Sequence, residues 1–284
     1  MIDHPKRLLA PALLALLLPL CGLAQKSIDP APEAWQLVWA DEFNGPDGTP
    51  PDPQHWNIEQ SGGGFGNNEQ ESYTNRLTNI HQEKGSLVIT ARHEEFTGPD
   101  GIKRPYTSGR LQTLKHFDFL YGRVEARIKI PAGQGLWPAF WMMGSNIESK
   151  NWPECGEIDI MENIGREPGK VHATMHGPRY SGVDALTGAY TLPNQARFAD
   201  DFHRFAAEWE PGILRFYVDD QLFETQNTDN LPAVKPWVFD HPFFILLDLA
   251  VGGYWPGMPA QSTAFPAEML VDYVRVYQRQ PLKK

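Results

Sequence analysis

Residues 156–162 read Gly156-Glu157-Ile158-Asp159-Ile160-Met161-Glu162, which places three carboxylates in a short β-prone segment. Acids at that density weaken a strand unless they have a specific role. Side chains alternate between the two faces of a strand, so Glu157 and Asp159 share one face. Glu162 is one residue out of phase, and an extra residue in a β-bulge near Ile160-Met161 returns it to that face. We therefore predict a bulged strand with all three acids on one side.

The bulge also predicts a distance between the outer acids. From Glu157 to Glu162 the backbone advances about four strand steps, roughly 13 Å at 3.3 Å per residue. Two inward-leaning side chains shorten this by about 4 Å each and leave the carboxyl groups roughly 5 Å apart, as in a retaining glycosidase. Asp159 lies between them, where it can orient Glu157 and raise the pKa of Glu162. The alternative is an edge strand with solvated acids.

Tryptophans cluster before the acidic strand. The segment Gly135–Met143 places Trp137 and Trp141 on one strand face, and Trp152 follows it. The apolar C–H faces of sugar rings pack on indole, so a cleft with acids and several tryptophans is predicted to bind a glycan. Core packing is the alternative for any single tryptophan. We expect at least one of these three residues or Trp255 to line the groove.

The next β-rich segment carries two histidines on one face. His172, Thr174 and His176 share that face by alternation, and the segment is predicted to pair with the acidic strand. A histidine there is expected to hydrogen-bond Glu162 or the substrate, with a structural role as the alternative. Two histidines beside carboxylates also suggest a zinc site, but their spacing lacks a zinc-ligand signature.

The N-terminal residues predict an export signal. Lys6 and Arg7 precede an apolar run from Leu8 to Leu20, which is too short to span a membrane as a helix. Small residues at Gly22-Leu23-Ala24 suit cleavage, so residues 1–24 are predicted to be a signal peptide. The protein is then expected to be secreted or periplasmic.

Residues 25–34 form a short lead segment, and residues 35–280 are predicted to be one all-β catalytic domain. Short β-rich segments alternate with Gly, Pro, Asn and Asp turns, which is typical of a sandwich or barrel. A hairpin tip is predicted at Glu94–Lys103. Examples of the predicted strands are Ser86–Arg92, Gly122–Ile130, Gly156–Glu162, Lys170–His176, Phe202–Trp209, Leu214–Val218, Phe243–Val251 and Met269–Gln278.

The net charge and the cysteine content exclude some classes of ligand and a disulfide bond. The chain has 35 acidic and 25 basic residues among 284, a net charge of −10. Such a surface repels nucleic acid and anionic lipid and suits a neutral ligand. Cys21 lies within the predicted signal, and a lipid anchor on it is disfavoured because Leu20 precedes it. Cys155 then has no partner for a disulfide; it is expected either at the groove edge or in the core.

Longer motifs give the chain a family resemblance. It resembles glycoside hydrolases of family 16, in the laminarinase-like branch whose strand carries Glu-x-Asp-x-x-Glu with a bulge. The matching motifs span nearly the whole chain after the predicted signal. They are Trp39-Ala40-Asp41-Glu42-Phe43, Gly66-Asn67-Asn68-Glu69, Tyr73-Thr74-Asn75-Arg76, Trp137-Pro138-Ala139-Phe140-Trp141, Glu157–Glu162, His176-Gly177-Pro178, Val251-Gly252-Gly253 and Val271-Asp272-Tyr273-Val274-Arg275-Val276-Tyr277.

The resemblance implies a β-jelly-roll sandwich of two antiparallel sheets with a concave substrate cleft. It implies Glu157 as nucleophile, Asp159 as assistant and Glu162 as acid/base, in a monomer without a catalytic cofactor. The implied activity is retaining endo-hydrolysis of β-1,3-glucan of the laminarin type. The implied glycan-binding residues are Asn68, Arg76, Trp137, Trp141, His176 and Trp255.

Alternative activities stay open at this point. Within the enzyme class they are hydrolysis of mixed-linkage β-1,3-1,4-glucan or of a marine galactan. The acidic balance argues against a sulfated galactan, because sulfate groups call for basic residues. A non-catalytic glycan-binding protein is the alternative from another class, although such relatives typically lose a catalytic Glu.

The resemblance also implies a structural calcium and shows departures from the family pattern. The calcium ligands would be Glu42, the Gly85 carbonyl and Asp272, and oxygen ligands suit calcium. Salt bridges of the two carboxylates are the alternative. Asp248 stands where relatives usually carry Asn. Tyr254 and Met258 depart from Asn as well, which leaves subsite specificity open.

Overall fold

The computed structural model describes residue 1, residues 35–232 and residues 234–279. Apart from residue 1, the predicted signal peptide (1–24) and lead segment (25–34) lie outside the described residues. Within the described part of the chain, no helix is long and apolar enough to cross a membrane.

The described residues form seventeen strands and three single-turn 3₁₀ helices. The helices are Gly64–Gly66, Gly182–Asp184 and Pro193–Gln195. The strands are β1 (Trp35–Asp41), β2 (Asn57–Ile58), β3 (Glu71–Tyr73), β4 (Ile80–Glu83), β5 (Ser86–Thr97), β6 (Lys103–Ser108), β7 (Arg110–Gln112), β8 (Gly122–Lys129), β9 (Leu136–Gly144), β10 (Glu157–Glu162), β11 (Lys170–His176), β12 (Leu186–Thr191), β13 (His203–Glu210), β14 (Ile213–Val218), β15 (Gln221–Asn227), β16 (Phe243–Val251) and β17 (Ala267–Arg279).

The strands assemble into two sheets. One has ten strands in the order β15-β14-β13-β8-β17-β5-β6-β3, with β1 paired to β17 and β4 paired to β5. The other has seven strands in the order β12-β11-β10-β9-β16-β7-β2. Among the described strands, the pair β3–β6 is parallel and the other pairings are antiparallel. The predicted all-β sandwich is confirmed.

Strand boundaries agree with the sequence pattern to within a few residues, with one larger difference. β11 and β16 begin and end at the predicted residues. β5 continues beyond the predicted Arg92 to Thr97, and the hairpin tip shrinks to residues 98–102. The added residues alternate between half-buried and exposed positions, as expected for a strand with one solvated face.

The hydrophobic core lies between the two sheets. Every second side chain of the central strands points inward and is buried, and burying an aliphatic side chain contributes roughly 1.5–3 kcal/mol. This layer fixes the positions of β9, β10 and β16, and so also fixes the polar side chains on their opposite face. Core residues include Val124, Ala126 and Ile128 of β8, Phe140 and Met142 of β9, Ile158 of β10, and Ile245, Leu247 and Leu249 of β16.

Candidate active site

β10 contains a bulge at the predicted place. Between Asp159 and Glu162 the register with β11 shifts, because two residues, Ile160 and Met161, oppose Ala173 alone. The register with β9 shifts at the same place. Ile160 and Met161 both pack into the core. The extra residue returns Glu162 to the side of the sheet that carries Glu157 and Asp159, which we call the acidic face.

His176 contacts the Glu157 end of the acidic face. It stands opposite Glu157 in the β10–β11 register. Its Nδ1 accepts the backbone N–H of Gly182 at 3.2 Å, so the proton of a neutral ring is on Nε2. Nε2 lies 3.1 Å from Asp159 Oδ2 and 3.6 Å from Glu157 Oε1. Sequence reasoning offered Glu162 or the substrate as partner, and the register gives Asp159 and Glu157 instead.

Glu162 is held by two donors at the other end of the acidic face. The indole Nε1 of Trp137 donates to Oε1 at 3.0 Å, and the hydroxyl of Thr174 lies 3.3 Å from Oε2. Glu162 is only 8% exposed. Both donors come from neighbouring strands, β9 and β11, so the side chain is fixed on each side by the sheet itself.

Burial raises the pKa of all three carboxyl groups. For Glu157 the pKa reaches about 8, with the charge of Asp159 adding to the burial effect and His176 opposing it. Burial places the pKa of Asp159 well above its usual range, and a hydrogen bond with Glu157 opposes that shift. The pKa of Glu162 is also well above its usual range, first because of burial and then because of the charge of Asp159. The hydrogen bond from Trp137 lowers this pKa and so opposes the shift.

These environments separate the chemical roles of the two glutamates. The side chain of Glu157 is 16% exposed and that of Asp159 is 5% exposed. Glu157 therefore ionises most readily of the three, and its negative charge then favours a proton on Glu162. An ionised carboxylate beside a protonated carboxyl group is the state that a retaining glycosidase needs.

Aromatic rings flank the acids at both ends. Trp255 lies edge-on to Trp137, with ring centroids 5.4 Å apart, and 5.1 Å from the ring of His172. At the opposite end Trp152 is 44% exposed, and its ring centroid lies 5.9 Å from that of His176. The acids thus stand between two groups of rings that a sugar chain can pack against.

Trp141 is anchored by residues that sequence reasoning did not assign. Its Nε1 donates to Asp248 Oδ1 at 2.7 Å. The guanidinium carbon of Arg110 lies 5.0 Å from the indole centroid and 4.7 Å from the ring of Phe65. Arg110 also pairs with Glu59 at 2.9 Å. No local pattern indicates this group, because it joins residues from distant parts of the chain.

A second set of buried acids adjoins Trp141. Glu71 is fully buried, and its Oε2 accepts the Val251 N–H at 2.7 Å. The Tyr73 hydroxyl lies 3.4 Å from both Glu69 Oε2 and Asp248 Oδ2. Burial raises the pKa of Glu69 and Glu71, and it raises that of Asp248 to about 7. Arg110 is the first of the groups that oppose the Asp248 shift.

Asn68 and Arg76 occupy different surroundings. Asn68 lies in an exposed turn with φ 61, and the carbonyl of its neighbour Asn67 accepts the Tyr254 N–H at 2.8 Å. This places the turn beside the loop of Trp255. The Arg76 guanidinium instead bonds to Asn79 and to residues of β5 and β6, among them Glu94 and Thr107. Its described contacts do not reach the three acids.

The residues predicted to bind calcium are paired with arginines. Both carboxylate oxygens of Glu42 accept from Arg275, at 2.7 and 2.8 Å. Asp272 Oδ2 accepts from Arg127 at 2.8 Å. Gly85 lies in the turn between β4 and β5. A cation would have to displace both guanidinium groups, so the donor set as arranged does not fit calcium.

On the acidic face, Glu157, Asp159 and His176 bring potential ligand atoms within 4.8 Å of one another. Those same atoms interact with one another in the arrangement that orients Glu157. We assign no metal to them.

Cys155 is fully buried just before β10, and burial raises its pKa to about 11. Of the two expected locations, the structure gives the core and not the groove edge. A buried, protonated thiol acts as a small apolar side chain.

The chain is similar to known glycoside hydrolases over most of its length. The sequence model described as Glycosyl hydrolases family 16 matches residues 66–275. A protein named Beta-glucanase from Rhodothermus marinus is 40% identical over 275 residues, covering 93% of this chain and 92% of that protein. A Glucan endo-1,3-beta-glucosidase from Cryptopygus antarcticus is 38% identical over 274 residues, covering 92% and 96%.

A solved structure extends the similarity to three dimensions. The X-ray structure of endo-beta-1,3-glucanase from Pyrococcus furiosus aligns with a TM-score of 0.83 at 48% identity. The alignment covers 87% of this chain and 95% of that one. The likeness therefore extends over most of the chain and is not confined to the acidic strand.

Proposed function

The chain belongs to glycosyl hydrolases family 16, and we propose that it hydrolyses β-1,3-glucan of the laminarin type as an endo-acting, retaining enzyme. The observation that carries this proposal is the bulge in β10, which brings Glu157, Asp159 and Glu162 to one face. The names of the relatives support β-1,3-glucan as substrate. The net charge of −10 agrees with a neutral polysaccharide.

The first chemical step uses both glutamates. Glu162 donates its proton to the glycosidic oxygen while the Glu157 carboxylate attacks the anomeric carbon. The C–O bond breaks, the leaving chain departs with the proton, and a covalent glycosyl-enzyme forms at Glu157. Asp159 and His176 orient Glu157 during attack, and the Trp137 N–H stabilises the carboxylate that Glu162 becomes.

The second step restores the enzyme. The Glu162 carboxylate takes a proton from water, whose oxygen attacks the anomeric carbon and releases Glu157. Two displacements at one carbon leave its configuration unchanged. Glycan binding is assigned to Trp137, Trp141, Trp255 and His176 on the acidic face, with Asn68 at its edge; Arg76 is the least supported of the predicted binding residues.

The remaining properties follow from the sequence. We propose export to the periplasm or the outside of the cell through the signal peptide at residues 1–24, and action as a monomer. The calcium expected at Glu42, Gly85 and Asp272 is not part of this proposal, because ion pairs with arginine occupy both carboxylates. Catalysis as proposed needs no cofactor.

The test is reducing-sugar release from laminarin, lichenan, agarose, carrageenan and xyloglucan, with analysis of product linkage. Wild type is expected to act best on laminarin. Glu157→Gln and Glu162→Gln are each expected to lower kcat by about 10³-fold or more while glycan still binds. The matched control is Glu154→Gln, an exposed glutamate just before β10, which should stay within about twofold of wild type. Near-normal turnover in either β10 variant would end the proposal.

A further inference from the structure

Asp248 is a buried carboxylate that the two chemical steps leave unused. It is 6% exposed and lies in the central strand β16. In the register it stands opposite Ala139, and Ala139 stands opposite Glu162 on the other side. Residues paired across a sheet project to the same side. Asp248 therefore lies on the acidic face, two strands away from the catalytic acids of β10.

The carboxylate of Asp248 makes its shortest hydrogen bond to a predicted glycan-binding residue. Trp141 stands opposite Asp159 in the register, and its indole N–H donates to Asp248 Oδ1 at 2.7 Å. Indole has a single donor, so this bond uses all of its hydrogen-bonding capacity. The ring is half-buried, and the Arg110 guanidinium lies 5.0 Å from its centroid.

Two contacts therefore define the orientation of the indole. The hydrogen bond from the indole N–H to Asp248 fixes the direction of the ring edge. The Arg110 guanidinium packs on part of the indole ring. Arg110 is itself held by Glu59 at 2.9 Å and by sheet pairing with Asp248. Asp248 is also 3.4 Å from the Tyr73 hydroxyl through Oδ2. Asp248, Arg110, Glu59 and Tyr73 therefore form one connected polar group that supports Trp141.

We propose that Asp248 is the positioning residue of Trp141: its carboxylate accepts the indole N–H and fixes the ring against which a glucosyl unit of the bound glycan packs beside Asp159. The proposal rests on the proposed glycan hydrolysis. Asp248 then affects substrate binding only through the side chain of Trp141. Without the acceptor, the indole loses one of its two anchors and its N–H is left without a protein partner.

The expected kinetic effect is on KM. A ring that packs on the glycan equally in the ground state and the transition state contributes uniform binding, and its loss raises KM while kcat changes little. Loss of one well-placed ring contact corresponds to about a tenfold effect, since about 1.4 kcal/mol is a factor of ten.

The experiment is a double-mutant cycle with laminarin as substrate. Asp248→Leu keeps the size and removes the acceptor, and it should raise KM about tenfold with kcat within about threefold. Asp248→Asn keeps an acceptor oxygen and should hold KM within about twofold. In a Trp141→Phe background, Asp248→Leu should have no further effect on KM, because the donor is already gone.

Three results would overturn the proposal. They are an unchanged KM in Asp248→Leu, a loss of kcat as large as the loss of kcat/KM, and an undiminished effect of Asp248→Leu in the Trp141→Phe background. A merely structural role predicts the last of these.

If Asp248→Leu does not fold, an NMR measurement that does not need this variant tests the positioning role. The indole N–H resonance of Trp141, identified by its loss in Trp141→Phe, should exchange slowly with solvent and shift in Asp248→Asn. Fast exchange, or no shift, would refute the positioning role. Failure of the proposed function has a different signature, namely wild type without activity on laminarin. The resonance measurement stays valid in that case.

Discussion

Replacement of Trp137 by Phe is expected to move the alkaline limb of the pH–rate profile. The indole N–H donates to Glu162 Oε1 at 3.0 Å and favours the ionised carboxylate, so it lowers the pKa of Glu162 against the larger effect of burial. Phe keeps an aromatic ring and removes the donor. The pKa of Glu162 then rises. Because the first step needs protonated Glu162, kcat/KM should persist to higher pH.

The size of the shift follows from the geometry. A hydrogen bond to a charged group contributes about 1.5–3 kcal/mol, and one pKa unit is 1.36 kcal/mol. The protonated carboxyl group keeps part of this bond in wild type, and the Thr174 hydroxyl remains 3.3 Å from Oε2 in the variant. We therefore expect an upward shift of about 0.5–1 unit in the alkaline limb.

The assay is kcat/KM for laminarin between pH 4 and 10 in buffers of constant ionic strength. Trp141→Phe is the matched control, because it removes an indole N–H from the same strand that donates to Asp248 and not to Glu162. Its alkaline limb should stay within about 0.2 unit of wild type. A limb that moves to lower pH in Trp137→Phe, or moves equally in both variants, would refute the reasoning.

The other predictions concern stability and reactivity. Folding raises the pKa of Glu157 from 4.5 to about 8 and that of Asp248 from 3.8 to about 7, so their stabilisation is complete below the unfolded values and is lost as pH rises through the folded ones. At pH 8, Glu157→Gln and Asp248→Asn should each melt at least about 2 °C above wild type; equal melting at pH 8 would contradict this. Because arginines pair with Glu42 and Asp272, a chelator should change Tm by less than about 1 °C, whereas a fall of about 5 °C would establish the predicted calcium. Iodoacetamide should leave Cys155 unmodified in native protein and react after unfolding; labelling of the native thiol would contradict its burial.

The acids of β10 were predictable because the argument is local. Alternation along one strand places Glu157 and Asp159 together, and one inserted residue accounts for Glu162. The structure has its register shift at the expected residues. The ends of β11 and β16 were equally predictable from sequence, because each is a continuous β-rich segment bounded by turn residues.

The surroundings of those acids were not predictable in the same way. The Trp141–Asp248 bond joins residues 107 positions apart, and it depends on the register between β9 and β16. Arg110 enters through a third strand. Sequence alone does not give which residue stands opposite which, and so it missed this group. The same limit explains why sequence alone predicts Glu162 or the substrate as the partner of His176, whereas the register places Asp159 and Glu157 next to it.

Two roles implied by the family resemblance are not supported by the contacts of the residues concerned. The resemblance proposed Arg76 for the groove, whereas the described hydrogen bonds of this side chain run to β5 and β6. It proposed calcium at two carboxylates that each accept from an arginine. In both cases the decisive fact is which charged side chain lies next to the residue, and a motif does not contain that information.

The central claim is that Glu157 attacks the anomeric carbon. An activated 2-deoxy-2-fluoro β-1,3-linked disaccharide should form a stable glycosyl-enzyme, because the fluorine slows both displacements whereas the good leaving group speeds only the first. Mass spectrometry of the digested protein should find the disaccharide on Glu157. A label on Glu162 or Asp159, or no label from an active enzyme, would contradict the account.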